Sequence, residues 1–344
     1  MSFTITLHPA DQSFACGPGT DILRAGLASG VAMRYSCRSG VCRTCRGRLV
    51  SGQVDFGDVH PHYLSDEEKA QGHVHLCCAR PLTDCSFEVE PFDPHLVPAR
   101  TLPVRVLRME RLAPDVMRLL LGTPPNEPLN WRAGQYLEIV LGDGLRRCYS
   151  MASAPRAGGR RQIELHIRHM PGGRFTDHVF GQLRERDLLR VEAPQGSFFL
   201  DAQSEKPVVM LASGTGFAPI QAMVEDSLAQ GLRRPIDVYW GGRRRIDLYL
   251  DAQARQWAAE HAHIRYVPVL SEAGDDPAWT GRTGLVHRAV LQDHPELSGH
   301  QVYACGAPPM VDAARRDFGE AGLAANQFFA DAFVSEADRR PAPH

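Results

Sequence analysis

The pattern of apolar and polar residues divides the chain into three parts. Residues 1–7 alternate in the manner of a β-strand. Between residues 102 and 200 the same two-residue period recurs in short segments, which predicts a small antiparallel barrel. After residue 206, apolar segments alternate with glycine turns and helical stretches, which predicts a parallel sheet with crossover helices. The predicted strands of the last two parts are 103–109, 116–121, 135–141, 163–168, 207–212, 236–242, 264–270 and 301–306.

Three prolines fall within residues 90–100, between the first part and the second. Proline favours stiff, extended backbone and cannot continue a helix or a central strand, so this segment is predicted to be a linker. A chain of 344 residues has room for two or three domains. The predicted limits are a first domain at 1–91, a linker at 92–101, a second domain at 102–203 and a third at 204–338.

Composition narrows the class of protein. The net charge is −2, which argues against a nucleic-acid partner because such binding needs a clustered basic face. No apolar run approaches the roughly 18 residues that span a bilayer, so no membrane partner is expected. The alternating N-terminus does not resemble a signal peptide, and the reducing cytoplasm is the expected location.

Four cysteines have a spacing that is specific for one kind of metal centre. Cys37, Cys42 and Cys45 share a tight loop, and Cys77 follows far downstream, which is the spacing that holds a [2Fe–2S] cluster. Three thiolates on one loop can wrap two irons, while the fourth locks the loop to its domain. Gly40 supports this prediction, because a loop folded around sulfides needs backbone without a side chain in the way.

Disulfides and zinc are the two other interpretations of these cysteines. Disulfides are disfavoured in a reducing compartment. Zinc is the more serious alternative, because Cys42-x2-Cys45 is an ordinary zinc half-site, although no second Cys or His pair completes it. His73 and His75 lie two positions apart on an alternating segment and are predicted to be surface residues. The other cysteines are predicted to be small, buried and unreactive: Cys16, Cys78, Cys85, Cys148 and Cys305.

Five arginines surround the cluster loop: Arg34, Arg38, Arg43, Arg46 and Arg48. One interpretation is a solvated rim. The other is a docking surface for an acidic partner, which would steer its encounter with the cluster. Both interpretations are open at the level of the sequence.

The first part of the chain resembles the plant-type ferredoxins. The resemblance lies in the loop Cys-x4-Cys-x2-Cys and in the closing segment Cys77-Cys78-Ala79-Arg80-Pro81. It implies a β-grasp domain and makes Cys77, rather than Cys78, the fourth ligand. The photosynthetic ferredoxins are typically acidic at this loop, and here the chain departs from them.

The second part resembles the flavin domain of the ferredoxin–NADP reductase superfamily. The segment from Arg147 to Ser153 matches the motif Arg-x-Tyr-Ser-x-x-Ser, and the segment 171–176 matches the glycine turn that opens a phosphate-facing helix. An arginine suits a pyrophosphate and a tyrosine ring can lie along a flavin. The order of domains implies FAD rather than FMN. The implied flavin-binding residues are Arg147, Cys148, Tyr149, Ser150, His166, Ile167, Arg168, Gly172, Gly173, Arg174 and Thr176, with backbone contacts expected from residues 166–168.

The third part resembles the nicotinamide domain of the same superfamily. Gly214, Thr215 and Gly216 follow an apolar strand and open a helix, where a pyrophosphate meets free amides. Cys305 and Gly306 match the element beside the nicotinamide ring. Cys305 either helps to position that ring or is simply a buried residue at the end of a strand. The stretch around Arg243 resembles that of NADH-using members, and NADH is favoured over NADPH. At the chain's end, Phe333 is the candidate for a flavin contact.

Together these features predict an electron-transfer reductase. NADH gives up two electrons and a [2Fe–2S] cluster accepts one at a time, so a flavin is needed between them. Nearly the whole chain resembles the reductase components of oxygenases, and also the CDP-6-deoxy-delta-3,4-glucoseen reductases. The resemblance implies a protein acceptor, either a Rieske or di-iron oxygenase or a sugar dehydratase, and requires no catalytic acid, base or nucleophile. An iron–sulfur redox sensor is the alternative of another class, but it would have no need for a hydride-donor site.

Overall fold

The computed structural model describes residues 2–92, 97–274 and 276–334, so parts of the predicted linker and of the third domain's end, at 93–96 and 335–338, lie outside it. The chain divides into two compact units. The first contains residues 1–96 together with the segment that begins at residue 330, and the second contains residues 97–329.

The first unit is built on a five-stranded mixed sheet of order β2-β1-β7-β3-β5, with a small β4-β6 pair beside it. Strands β1 and β7 run parallel, and the other neighbours are antiparallel. The elements are β1 Phe3–His8, β2 Gln12–Cys16, α1 Ile22–Ala28, β3 Arg46–Ser51, β4 Val54–Asp55, α2 Asp66–Ala70, β5 His73–His75, β6 Arg80–Pro81 and β7 Cys85–Val89. This is the predicted β-grasp arrangement.

The alternation at the N-terminus explains how this sheet buries one face. Ile5 and Leu7 are buried in the core, while Thr6 on the other face pairs its hydroxyl with that of Ser13 at 2.9 Å. Helix α1 begins at a true cap, because the side chain of Asp21 accepts from the backbone amide of Arg24. The predicted N-terminal strand is therefore confirmed.

The second unit begins with a six-stranded antiparallel sheet of order β11-β10-β13-β8-β9-β12. An isolated bridge between Met151 and Leu165 joins its two edges, and the sheet thereby closes around a core of aliphatic side chains. The elements are β8 Arg100–Ala113, β9 Val116–Gly122, β10 Tyr136–Val140, β11 Arg146–Ser150, β12 Gln162–Arg168, α3 Arg174–Gly181 and β13 Leu188–Gln195. The predicted antiparallel barrel is confirmed.

The second unit also contains strands of a second sheet, in the order β17-β16-β15-β14-β18. Strands β14 to β18 pair in parallel, as the apolar runs predicted. The elements are β14 Val208–Ser213, α4 Phe217–Ala229, β15 Ile236–Gly242, α5 Asp251–Glu260, β16 Ile264–Leu270, β17 Arg282–Thr283, α6 Val286–Asp293, β18 Gln301–Gly306, α7 Pro308–Glu320 and β19 Phe328–Ala332, with short 3-10 helices at Gly214–Gly216, Arg245–Asp247 and Ala325–Gln327.

Among the described residues, no helix combines the length and the hydrophobicity of a membrane span. Strand β8 begins at Arg100, two residues before the predicted start of the second domain. The domain limits otherwise stay predictions.

Candidate functional site

The four predicted cluster ligands lie as two pairs. The thiol of Cys42 hydrogen-bonds Cys37 and, with the loop amides, lowers the pKa of Cys37 to about 5 against the effect of burial. Contact with Cys45, and then with Cys78, raises the pKa of Cys77 well above its ordinary value. Two neighbouring pairs are what a two-iron cluster needs, since each iron takes two cysteines. The thiols therefore fit the [2Fe–2S] group, and their role as ligands stays a prediction.

The backbone of the cluster loop supports this arrangement. The amides of Ser39 and Cys42 point at the sulfur of Cys37, at 3.5 and 3.4 Å. Gly40 has a φ of 75°, and a Cβ there would lie 3.1 Å from both the Cys78 sulfur and a methyl of Val59. A side chain at position 40 would thus strain the loop and push on its support.

His75 is not the surface residue that the alternation predicted. It is 1% exposed, because the cluster loop folds over that face of β5. Burial, followed by the charges of Arg43 and Arg46, lowers the pKa of His75 to about 4, so its ring is neutral at pH 7. A hydrogen bond with the backbone of Gly40 acts in the other direction and raises the pKa.

The cysteines outside the predicted ligand set differ in how deeply their side chains are buried. Cys16, Cys85 and Cys305 are buried as predicted. Cys78 is only partly buried and Cys148 is exposed, so the prediction was wrong for both. Cys148 lies on the edge strand β11, on the face opposite Tyr149, and its sulfur is 3.9 Å from a carboxylate oxygen of Glu138. The prediction that its side chain is buried was wrong, and any cofactor contact from this position would come from its backbone.

Most of the arginines around the cluster loop have acidic neighbours in the first unit. Arg46 lies 3.0 Å from Glu68, which Arg43 approaches at 3.8 Å. Arg34 and Arg48 pair with Glu90 and Glu88. Arg38 instead lies over the ring of Tyr35, at 4.9 Å from its centroid. Much of the positive charge around the loop is thus balanced locally, and Arg38 is the arginine that directly follows the predicted ligand Cys37.

The last described residues also contact the cluster loop within the first unit. The buried hydroxyl of Ser36 donates to the carboxylate of Asp331, and the hydroxyl of Thr44 donates to the carbonyl of Ala330 at 3.1 Å. Ser36 precedes Cys37 and Thr44 precedes Cys45. The loop is therefore tied on both sides to the C-terminal segment, which continues into the partly buried Phe333.

The predicted flavin motif lies on the edge strand β11. Arg147 and Tyr149 pair with Ile139 and Leu137 of β10, so their side chains share one face. The Tyr149 ring lies 5.4 Å from that of Phe175, the second residue of α3, and Ser150 on the opposite face is buried. The two predicted flavin elements are thus neighbours.

The glycine turn before α3 is shaped by close backbone approach. Gly172 has a φ of 82°, and a Cβ at Gly173 would lie 2.8 Å from the carbonyl oxygen of Met170. The Thr176 hydroxyl bonds that same carbonyl at 2.9 Å and stabilises the turn. Arg174 pairs with Asp143. The free amides at the start of α3 fit a phosphate.

His166 on β12 is held by partners from two elements. Its Nε2 lies 2.9 Å from Glu164, and its Nδ1 lies 3.1 Å from the hydroxyl of Tyr249. The ring is fully buried, and Gln221 of α4 reaches the same Glu164 oxygen at 3.4 Å. Both ring nitrogens of His166 are thus used in a hydrogen-bond network between the two sheets of the second unit. A flavin contact at His166 would therefore come from its backbone, and the same holds for the buried Ile167.

The predicted nucleotide site lies at the carboxyl ends of two adjacent parallel strands, β14 and β18. A Cβ at Gly216 would lie 2.2 Å from the carbonyl oxygen of Cys305, and one at Gly306 would lie 2.2 Å from the hydroxyl oxygen of Ser213. These glycines let the Gly214–Gly216 turn, with Thr215 at its centre, and the end of β18 pack directly together. Such an edge is where α/β sheets bind dinucleotides.

Arg168 is the side chain that the structure brings to this edge. A Cβ at Gly214 would lie 3.2 Å from its Nη1 atom, so its guanidinium rests on the glycine turn. Its buried Nε and Nη2 have no hydrogen-bond partner among the described residues, and the nearest carboxylate, Asp115, is 3.4 Å from Nε. Unsatisfied buried donors over a glycine turn fit a dinucleotide pyrophosphate.

Asp247 shapes the predicted adenosine stretch. Its carboxylate accepts from the amides of Arg243 and Arg244, at 2.8 and 3.0 Å. The side chains of Arg243, Arg244 and Arg245 are exposed, and Arg245 pairs with Asp276 at 3.2 Å. Positive and negative charge thus occur together at this turn.

Several of these features carry no signal in the sequence. The Ser36–Asp331 bond joins residues 295 positions apart, and the His166–Tyr249 bond joins residues 83 positions apart. The burial of His75 depends on a loop that covers it from elsewhere in the chain. For Arg168 the alternation gave no signal, since Gln162, Glu164 and His166 are polar residues of the same strand.

Comparison with known proteins gives a consistent result for all three parts. Three family models match: a 2Fe-2S iron-sulfur cluster binding domain at residues 5–82, an oxidoreductase FAD-binding domain at 103–200 and an oxidoreductase NAD-binding domain at 210–316. A CDP-6-deoxy-L-threo-D-glycero-4-hexulose-3-dehydrase reductase of Yersinia pestis is 41% identical over 97% of this chain and 99% of its own length.

Other relatives belong to oxygenase systems. A terephthalate 1,2-dioxygenase reductase component of Comamonas is 34% identical over 97% of this chain and 98% of its own length. The crystal structure of an Amycolatopsis cytochrome P450 reductase, GcoB, has a TM-score of 0.78 and 35% identity, and the match covers 96% of this chain and 98% of that one.

The chain therefore belongs to the family of flavin- and NAD-binding oxidoreductases that carry an N-terminal 2Fe-2S ferredoxin domain. It is an electron-transfer reductase with binding domains for a [2Fe–2S] cluster, FAD and NAD.

Proposed function

We propose that this protein oxidises NADH and delivers the electrons, one at a time, to a partner protein. The main observation behind the proposal is that one chain contains two sites with geometry suited to these cofactors. One is the loop with two pairs of thiols, and the other is the glycine turn under the unsatisfied guanidinium of Arg168. When bound, the flavin accepts a hydride and releases single electrons to the iron–sulfur cluster.

Each part of the chain has a positioning role in this proposal. Arg168 and the amides of the glycine turn hold the dinucleotide pyrophosphate. Arg147 and the start of α3 hold the phosphates of FAD, while the ring of Tyr149 orients the flavin. The amides of Ser39 and Cys42 stabilise the Cys37 thiolate. We place this reaction in the cytoplasm, where thiolate ligands stay reduced.

NADH is the proposed donor because of Asp247. Its carboxylate is fixed by two backbone amides at the turn where the adenosine ribose is expected. A fixed carboxylate repels a 2′-phosphate and suits a free 2′-hydroxyl. The three exposed arginines beside it would attract a 2′-phosphate. Measured KM values for NADH and NADPH therefore decide which of the two is the donor.

Two classes of partner are supported by different relatives. The 41% identity to the hexulose-3-dehydrase reductase favours a sugar dehydratase as acceptor. The 34% and 35% identities to the dioxygenase and cytochrome P450 reductases favour an oxygenase. We propose a protein acceptor of one of these two classes.

An anaerobic absorption spectrum, recorded before and after one equivalent of NADH, tests the electron route. Flavin and iron–sulfur bands should be present and should bleach together. A colourless protein, or one inert to NADH, would contradict the proposal and favour zinc as the metal at the four cysteines. NADPH in a parallel cuvette tests the choice of donor.

The variant Cys42→Ser separates the flavin from the cluster. It should retain FAD and NADH-driven reduction of ferricyanide while losing the cluster and cytochrome c reduction. Cys16→Ser, at a cysteine of β2 outside the cluster loop, is the matched control and should keep both activities. Intact cytochrome c reduction in Cys42→Ser would move the exit point from the cluster to the flavin.

The partner is tested by reconstitution. The protein is mixed with NADH and either a purified hexulose-3-dehydrase with its sugar substrate or a purified dioxygenase component with its aromatic substrate. Product formation coupled to NADH oxidation in one mixture assigns the class. Failure in both, with the electron route intact, would exclude these two acceptors only.

A further inference from the structure

The glycine turn after β14 is fixed by an aromatic side chain from the neighbouring strand. Trp240 of β15 is fully buried, and its indole N–H donates to the carbonyl of Gly214 at 3.0 Å. Gly214 has a φ of 54°, a left-handed conformation that glycine adopts without strain. The hydrogen bond thus holds the one residue of the turn whose backbone has the most freedom to rotate.

This hydrogen bond sets the direction of an amide as well as that of a carbonyl. The peptide bond between Gly214 and Thr215 is trans, and in a trans peptide group the C=O and the N–H point in opposite directions. Because the Gly214 carbonyl points to the indole of Trp240, the Thr215 amide points away from it. That amide lies in the first turn of the short helix, where amides have no acceptor within the helix and can meet a phosphate.

The indole of Trp240 is itself held from two sides. It stacks on the ring of Phe217, the first residue of α4, with the ring centroids 3.8 Å apart, and the ring of Tyr249 meets it edge-on at 5.0 Å. The Tyr249 hydroxyl in turn hydrogen-bonds Nδ1 of His166 at 3.1 Å. These contacts hold the indole in the orientation in which its N–H reaches Gly214.

The same strand of the barrel supports the turn at a second point. His166 and Arg168 lie two positions apart on β12, so their side chains share one face. The guanidinium of Arg168 rests on Gly214, where a Cβ would lie 3.2 Å from its Nη1 atom. Gly214 is therefore held by Trp240 from its own sheet and by Arg168 from the other.

We propose that Trp240 is a positioning residue for the nicotinamide dinucleotide, which aims the Thr215 amide at the pyrophosphate beside Arg168. Arg168 contacts the phosphate directly, whereas Trp240 acts through the carbonyl of Gly214. Loss of the indole N–H should therefore weaken dinucleotide binding without loss of the flavin. The inference rests on the proposed function, because it requires the nucleotide to bind at this turn.

The test uses two replacements of Trp240. Trp240→Phe keeps an aromatic ring against Phe217, and benzothienylalanine, introduced by amber suppression, keeps both fused rings and replaces only the N–H by sulfur. We expect the apparent Kd for NADH in stopped-flow flavin reduction to rise about three- to tenfold, the range for one neutral hydrogen bond, while the limiting rate changes little. The benzothienylalanine variant opens no cavity, so it decides the result if Trp240→Phe folds poorly.

Tyr239→Phe is the matched control on the same strand. The Tyr239 hydroxyl donates to Asp293 at 2.7 Å, and its side chain lies on the face of β15 opposite that of Trp240. This variant also loses one buried hydrogen bond of the parallel sheet, but it leaves the glycine turn untouched. Its Kd for NADH should equal that of the wild-type protein.

A hydride donor without a pyrophosphate separates positioning of the dinucleotide from damage to the flavin site. N-benzyl-dihydronicotinamide should reduce the flavin of the wild-type protein and of both Trp240 variants at the same rate. An unchanged Kd for NADH in the flavin-loaded benzothienylalanine variant, or equal slowing with both donors, would overturn the inference alone. A wild-type protein whose flavin is not reduced by NADH would overturn the proposed function and this inference together.

Discussion

The guanidinium group of Arg168 rests on the backbone of Gly214, the first residue of the glycine turn. A Cβ on Gly214 would lie 3.2 Å from its Nη1 atom, and its buried Nε and Nη2 have no hydrogen-bond partner among the described residues. Arg168 ends β12 of the antiparallel sheet, whereas Gly214 follows β14 of the parallel sheet. A donor from one sheet thus lies over the glycine turn of the other, where we propose that a dinucleotide phosphate binds.

Replacement of Arg168 by alanine should therefore weaken NADH binding. A hydrogen bond to a charged group contributes about 1.5–3 kcal/mol, so the KM for NADH should rise roughly 10- to 100-fold with a smaller change in kcat. Stopped-flow kinetics of flavin reduction measure this. Arg161→Ala, at an exposed position just before β12, is the control. Loss of flavin in place of a higher KM would instead assign Arg168 to FAD.

Gly216→Ala should destabilise the second unit. The new Cβ would lie 2.2 Å from the Cys305 carbonyl oxygen, and backbone on both sides leaves no flexible side chain to yield. We expect a loss of at least about 2 kcal/mol in the free energy of unfolding. Thermal denaturation checks this, with Gly299→Ala as the control, since a Cβ at that exposed glycine meets nothing within 4 Å. Equal Tm values for the two variants would show that the turn adjusts freely.

The sequence predicted elements and motifs better than it predicted contacts between them. The periodic segments became β8, β9, β10, β12 and the parallel strands, because each side chain's face follows from local geometry. The alternation around His75 correctly placed Val74 in the core, but it said nothing of the loop that covers the other face. Contacts such as Ser36 with Asp331 require the completed fold, so no local pattern contained them.

Ser36 and Asp331 should prove energetically coupled. Their hydrogen bond lies inside the first unit and is shielded from water, and it holds the residue that precedes Cys37. Thermal loss of the cluster's visible absorbance, measured for Ser36→Ala, Asp331→Ala and the double variant, gives a double-mutant cycle. We expect a coupling energy of about 1–3 kcal/mol and cluster loss at lower temperature in each single variant. Additive effects would mean that the bond does not support the loop.

Arg38→Glu should slow electron transfer to an acidic partner, whereas Arg48→Glu should have a smaller effect. Arg48 is already neutralised by Glu88 at 2.9 Å, while Arg38 lies over Tyr35 beside the first cluster cysteine. The difference should shrink as salt rises, because screening shortens the range of exposed charges. Transfer rates at two ionic strengths measure this. Equal rates for both variants at low salt would favour the solvated-rim interpretation.

Glu225 should make the stability of the second unit depend on pH. Burial, and then the negative charge of Glu164, raise its pKa to about 7, against the opposing effects of Arg160 and two glutamines. The carboxyl group therefore binds its proton more tightly in the folded than in the unfolded protein. Its contribution is fully present below about pH 4.5 and is lost as the pH rises through 7, by an amount on the order of 3 kcal/mol. Glu225→Gln, which cannot ionise, should flatten this fall, whereas Glu320→Gln, at an exposed position on α7, should leave it unchanged. Denaturation curves between pH 5 and pH 8 measure the effect, and parallel curves for wild type and Glu225→Gln would show that Glu225 ionises normally.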